Sequence, residues 1–259
     1  MNDLFGCIQV QPSYKERDAW SAAARKENWN YEVIEFSLPP VLSSGGWPPH
    51  ILEWYTAGGR VTSLHGCFID VNPASSDELF RQLSVQRMKE SCALALKLGA
   101  GNIVFHAGSF PFLRGSYLDQ WAGRTAEFLE ELAAAYDLNF FVENSMDVDP
   151  DPMKALMQRI SNPRIGVCLD VGHANYSRVP VGRWFEELGT WISYLHLSEN
   201  MGKFDDHLPL GTGTIDWEEV SALWKGLNRE VPITLETGNL KHTLESAAFL
   251  REHHYFSQQ

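Results

Sequence analysis

The most constraining feature of this sequence is an alternation. About eight times, a short run rich in branched and aromatic residues gives way to a longer stretch with apolar residues at helical spacing. Strands are expected at 4–10, 31–36, 60–65, 102–106, 139–143, 164–170, 191–197 and 232–236. Helices are expected at 15–28, 77–98, 118–136, from Pro152 onward, 181–188, 217–227 with Asp216 as cap, and 240–253. The second strand is followed by a Pro/Gly-rich stretch that reads as a long loop to Gly59. Strands that alternate with helices form a parallel sheet. Eight such units in 259 residues fit one (β/α)8 TIM barrel spanning 1–259, rather than an open doubly wound sheet. No Gly-x-Gly-x-x-Gly follows the first strand and no Walker-type loop occurs, so nucleotide-binding folds lose ground.

Charge and cysteine usage narrow the partners. The net charge of −12 repels nucleic acid phosphates. Cys7, Cys67, Cys92 and Cys168 form no Cys-x-x-Cys pair, which suggests reduced core thiols in a cytoplasmic protein. No signal peptide is expected near Asp3, and no apolar run approaches the roughly 18 residues of a membrane span.

In a parallel barrel the reacting groups sit at the C-terminal ends of the strands and in the loops that follow. Here those positions hold His65, His106, Glu143, Asp170, His173, His196 and Glu236. Asp205 and His207 stand in the loop after the seventh strand, within the string DDHLPLGTG. Taken singly, each has an ordinary explanation: His65 as a rim histidine, Glu143 as an acceptor for backbone N–H groups, Asp170 as a helix cap. Together, four carboxylates and five imidazoles at one mouth would repel and leave polar groups unpaired. Divalent cations relieve both costs.

The strings LHGCF, FHAGS, VENS, LDVGH, LHLSEN, DDHLPLGTG and LET resemble endonuclease IV and the wider xylose isomerase-like superfamily of sugar phosphate isomerases and epimerases. The resemblance runs from about Arg60 to the C-terminus. It implies a xylose isomerase-like TIM barrel with up to three zinc ions. One would lie on His65, His106 and Glu143. A second would share Glu143 and take Asp170, His196 and Glu236. The third would take His173, Asp205 and His207. The subset Glu143, Asp170, His196 and Glu236 also matches the single-metal site of the superfamily's epimerases, with manganese as the alternative metal and Glu143 and Glu236 as catalytic proton carriers.

Charge favours one reading at this point. Three divalent cations outweigh four carboxylates and suit an anionic ester, whereas one cation against three carboxylates suits a neutral sugar. Clustered metals also lower the pKa of a bridging water and receive a leaving alkoxide. The expectation is therefore phosphoester hydrolysis of a small, anionic organic substrate at a multinuclear zinc-type site. The alternative is sugar or sugar phosphate isomerisation or epimerisation. An endonuclease acting on abasic DNA ranks below both, because 37–59 carries no Lys or Arg and the loop after His65 holds acids but no base.

The remaining rim candidates are substrate contacts. Arg114, Lys203 and Arg178 are candidates for a phosphate, and Trp47, Phe68, Phe110, Trp54, Tyr55 and Phe112 for an aromatic pocket wall. Asn144, Ser198, Glu199 and Asp206 adjoin ligands and are candidates to orient them. His50, His242, His253 and His254 fit no ligand position.

Overall fold

The computed structural model describes residues 8–38, 41, 47–106 and 108–257. Cys7 and the first residues of the expected opening strand lie outside them. Eight parallel strands close into a barrel in sequence order, β1 pairing with both β2 and β8. The strands are β1 (Ile8–Val10), β2 (Asn30–Val33), β3 (Val61–His65), β4 (Asn102–His106), β5 (Asn139–Glu143), β6 (Ile165–Asp170), β7 (Ile192–Leu197) and β8 (Ile233–Leu235). The helices are α1 (Arg17–Glu27), α2 (Pro49–Ala57), α3 (Glu78–Leu98), α4 (Gly115–Ala135), α5 (Asp151–Met157), α6 (Val171–Asn175), α7 (Val181–Leu188), α8 (Trp217–Gly226) and α9 (Leu240–Glu252).

Local chemistry sets the helix ends. The side chains of Asp77, Asp216 and Asn239 accept from the N–H groups of Phe80, Glu219 and His242, which would otherwise lack partners. α3 stops at Gly99, whose φ of 79° a residue with a Cβ adopts at a cost.

Two elements differ from the sequence expectation. The stretch read as a loop to Gly59 contains α2. Its start at Pro48-Pro49 suits a helical first turn, where a missing N–H costs nothing. Burial of Leu52 and Tyr55, three residues apart, then seats it on the sheet. The short helix α6 also goes beyond the expectation; it is one turn, too brief to show periodicity.

The barrel interior is built by alternation. Val104 and His106, Phe141 and Glu143, Cys168 and Asp170, and Tyr194 and His196 are pairs two residues apart on adjacent strands. The lower member of each pair joins a small apolar cluster of Val104, Phe141, Cys168 and Tyr194. The Phe141 and Tyr194 rings stack there with centroids 5.0 Å apart. This layer is the floor on which the polar layer rests. Truncating Phe141 to Ala would cost about 3–5 kcal/mol, as for other buried aromatics. The free thiols Cys67, Cys92 and Cys168 are all buried, and among the described residues no helix is long and apolar enough to cross a membrane.

Candidate metal centre

Register brings the donors together. His106 pairs with Glu143 across β4 and β5, and Asp170 with His196 across β6 and β7. All nine expected donors lie at the mouth of the barrel. His65 and His106 each place Nε2 near one oxygen of Glu143, at 3.2 and 3.3 Å from Oε2. His196 Nδ1 lies 2.9 Å from Glu236 Oε2, 3.5 Å from Glu143 Oε1 and 4.0 Å from Asp170 Oδ2. One ligand atom from each of Glu143, Asp170, His196 and Glu236 falls within 4.8 Å of the other three. Asp205 Oδ2 stands between His173 Nε2 at 3.3 Å and His207 Nε2 at 3.0 Å.

The deep four carry the signature of a cation site. Both oxygens of Glu143, Asp170 Oδ2, Glu236 Oε2 and His196 Nδ1 are buried and have no hydrogen-bond partner. His196 Nδ1 and Glu236 Oε2 come within 2.9 Å without the angles of a hydrogen bond. Their lone pairs are aimed at shared space. Buried acceptors without donors are costly, and a divalent cation with oxygen and imidazole ligands fits this set. Asp170 serves two ends at once: Oδ1 caps α6 by accepting from His173 N–H, while Oδ2 faces the cluster.

The free carboxyls and imidazoles bear the marks of crowding. Burial and the neighbouring Glu143 and Glu236 push Asp170 up to about 7. Burial would also raise Glu143, but His106 and His196 outweigh it and hold it well below the usual range. Against the same burial penalty, His196 brings Glu236 down to about 2. His173 and His196 are raised well above an ordinary imidazole, their carboxylate neighbours overcoming desolvation.

Backbone carbonyls orient three of the other imidazoles. Nδ1–H of His65 donates to Gly66 O, that of His173 to Asn144 O, and that of His207 to Glu236 O. A carbonyl only accepts, so each of these rings must carry its proton on Nδ1 and can offer Nε2 to a metal. The Asn144 side chain also clamps the Asp170 backbone, giving to its C=O and accepting from its N–H.

The loop after β7 is folded by Glu199. Its buried carboxylate accepts from the N–H groups of Asn200, Gly211 and Ile215 and from Trp217 Nε1. Glu199 therefore anchors the loop rather than orienting an imidazole directly. The loop turns back at Leu208, which exchanges two backbone hydrogen bonds with Glu199. Gly211 and Gly213 permit this. A Cβ at Gly211 would meet the Phe249 ring at 2.4 Å, and one at Gly213 would meet Asn200 O at 2.2 Å. Asp206 is exposed, and its N–H bonds to Phe204 O. Ser198 Oγ is buried and contacts no ligand by hydrogen bond.

The expected substrate contacts divide. Phe68 sits at the site, its ring centroid 5.0 Å from both the His65 and His106 rings. Phe110 and Lys203 are exposed on the rim loops. Trp47 packs against the core, with Lys97 of α3 over its ring at 5.3 Å. Trp54 and Tyr55 belong to α2 and pack with Tyr31. The Arg114 guanidinium is engaged by Asp149 and lies 3.9 Å from Asp151, so its charge is already answered. Arg178 stacks over Phe112 at 4.4 Å. His50, His253 and His254 are exposed, and His242 lies in the first turn of α9, apart from the cluster.

Two residues escape the sequence reading. Glu32 of β2 is fully buried and accepts from His196 Nε2. Gln11, just after β1, donates to Glu32 Oε1 at 2.8 Å and to Glu236 Oε1 at 3.1 Å. The available signal is an acid, Glu32, placed between Tyr31 and Val33 in the otherwise strand-like run YEVIEF.

The sequence matches the family described as xylose isomerase-like TIM barrel over residues 49–253. It is 27% identical over 201 residues to the uncharacterised protein MJ1311 of Methanocaldococcus jannaschii, covering 73% of this chain and 69% of that one. Among solved structures, the TTHB071 protein from Thermus thermophilus, soaked with ZnCl2, superposes with a TM-score of 0.78 at 22% identity, covering 95% of this chain and 97% of that one. An L-ribulose 3-epimerase superposes with a TM-score of 0.72 at 16% identity, covering 95% and 93%. At these identities the two structures show likeness of fold.

Proposed function

This chain belongs to the xylose isomerase-like TIM barrel family, and we propose that it is a divalent-metal-dependent isomerase or epimerase of a sugar or sugar phosphate. The observation that carries this reading is the set of five unpartnered buried atoms on Glu143, Asp170, His196 and Glu236. The fold likeness to an epimerase supports it over the hydrolysis favoured by charge alone. A cation held by these four would polarise the carbonyl and hydroxyl oxygens of a bound sugar and so acidify the hydrogen on the adjoining carbon.

The residues then divide the work. Glu143 stands on β5 and Glu236 at the end of β8, and both approach His196 Nδ1, at 3.5 and 2.9 Å. One carboxylate takes the proton from the carbon beside the carbonyl, and the other returns a proton to the opposite face. Configuration inverts with no oxidant or further reactant. Gln11 holds Oε1 of Glu236 and leaves Oε2 facing the site. Phe68 walls the pocket beside His65 and His106 and excludes water there. A neutral substrate part suits the rim, since Arg114 is paired and Arg178 is stacked. The same shortage of free cations argues against duplex DNA.

Metal-loaded protein incubated with ketoses in D2O should wash deuterium into the carbon next to the carbonyl. Glu236→Gln should lower that exchange by about 10²–10⁴-fold, the usual yield of a positioned acid or base. Failure of every ketose and ketose phosphate to exchange would end this reading.

One observation favours a second reading, phosphoester hydrolysis at a multinuclear zinc site. His65 and His106 both point Nε2 at Glu143, and His173 and His207 both point Nε2 at Asp205, so two further donor sets flank the deep four. Metal analysis separates the two: one tightly held ion per chain supports epimerisation, and three support hydrolysis.

A further inference from the structure

Of the five imidazoles at the mouth, His196 is turned the other way. His65, His106, His173 and His207 direct Nε2 toward a carboxylate of the cluster; Nδ1 of His173 also lies 3.3 Å from Glu143 Oε1, but its N–H is given to Asn144 O. His196 directs Nδ1 there, and its Nε2 lies 3.1 and 3.2 Å from the two oxygens of Glu32. The carboxylate is fully buried, on a strand that contributes no donor to the cluster. It is also fixed from other sides. Gln11 Nε2 donates to Oε1 at 2.8 Å, while the hydroxyls of Tyr194 and Thr234 donate to Oε2 at 2.6 and 3.1 Å. These partners come from near β1, from β7 and from β8, so Glu32 has little freedom to follow a ring that rotates. Both Gln11 and Glu32 precede the stretch that matches the family.

We propose that Glu32 is the positioning residue for the metal centre: it holds the His196 proton on Nε2 and thereby keeps the Nδ1 lone pair aimed at the cation held by Glu143, Asp170 and Glu236. The inference rests on the reading that these four bind a divalent cation. A carboxylate on the far nitrogen fixes the tautomer and makes the ligating nitrogen more basic. A backbone carbonyl, which serves His65, His173 and His207, supplies orientation with less charge. Gln11 extends the arrangement by bridging Glu32 to Glu236, a second member of the four. The barrel wall without donors thus sets the geometry of the wall that has them.

The test is Zn2+ affinity of the metal-free protein, measured by competition with a chromophoric chelator, for wild type, Glu32→Gln, His196→Ala and the double variant. Glu32→Gln keeps the size of the side chain and removes its charge. We expect it to weaken the tightest site by about 10- to 100-fold, the range found for such outer partners. In the His196→Ala background the same change should matter by less than about twofold, because Glu32 acts through the missing ring. An equal loss in both backgrounds would show a general structural role and overturn the inference. So would unchanged affinity in Glu32→Gln while wild type binds Zn2+, an outcome that leaves the metal centre standing. If wild type binds no Zn2+, the metal reading and this inference fall together. Circular dichroism of each metal-free variant checks folding; should Glu32→Gln fail to fold, Glu32→Asp replaces it, with the carboxylate kept and drawn back from His196, and the same cycle applies.

Discussion

Two groups of donors share the mouth of the barrel, and their bonding differs. In the deep group, Glu143, Asp170, His196 and Glu236 present buried atoms with no partner. In the outer group, Asp205 Oδ2 already accepts from both His173 and His207, and its side chain is 39% exposed. The outer three satisfy one another without an ion, and water reaches Asp205 and His207. The deep four do not, since burial has removed the solvent that would have served them. A cation therefore gains most at the deep site, where no hydrogen bond has to be broken. At the outer site it must displace protons that hold two charge-assisted hydrogen bonds. Similar residue types thus carry different demands, set by depth.

That contrast can be broken by mutation. The largest effect should come from His196→Ala, which removes the nitrogen donor of the deep group. We expect the tightest metal site to weaken by more than about 100-fold in chelator competition, since a ligand should matter at least as much as its outer partner. Asp205→Ala should leave that site and the deuterium exchange within about threefold of wild type. A loss of exchange of about 100-fold on Asp205→Ala would place the outer group inside the chemistry and favour the multinuclear reading.

Metal removal comes next in size. Zn2+ at 100 times its dissociation constant should stabilise the folded chain by about 2.7 kcal/mol. At about 2–4 °C per kcal/mol this raises the melting temperature by roughly 5–10 °C. Most of that rise should survive Asp205→Ala and vanish in His196→Ala.

The smallest effect is a slope with pH. Asp205 and Glu236 overcome the burial penalty of His207 and raise it from 6.5 to about 10. A folded-state value above the unfolded one contributes stability that is fully present below about pH 6.5 and lost as pH rises through about 10. Thermal melts of metal-free protein should fall in midpoint from pH 7 to pH 10. Asp205→Asn should make the decline shallower; an unchanged slope would show that the pair contributes nothing.

The legible and illegible parts of the site divide along the same physical line. Eight strands could be read because each ends where an apolar run meets Gly, Pro or a polar residue, and the donors stand at those ends. His65, His106, Glu143 and Asp170 are the last residues of their strands. Glu32 lies inside a strand, where an acid ordinarily argues against burial. Only the closed barrel reveals that its neighbours are His196, Tyr194 and Thr234, each more than 160 residues away. Trp47, Trp54 and Tyr55 mislead for the opposite reason: aromatic side chains in a Pro/Gly-rich stretch suggest a loop, but α2 turns Trp54 and Tyr55 onto the outer layer. Arg114 looks free in the sequence because its partner Asp149 stands 35 residues on.

The most direct measurement is anomalous diffraction from crystals of this protein soaked with Zn2+ or Mn2+. The strongest peak is expected among Glu143, Asp170, His196 and Glu236, with any peak near Asp205 weaker. A peak at Asp205 with none among the deep four would contradict the claim that those unpartnered atoms exist to hold a cation.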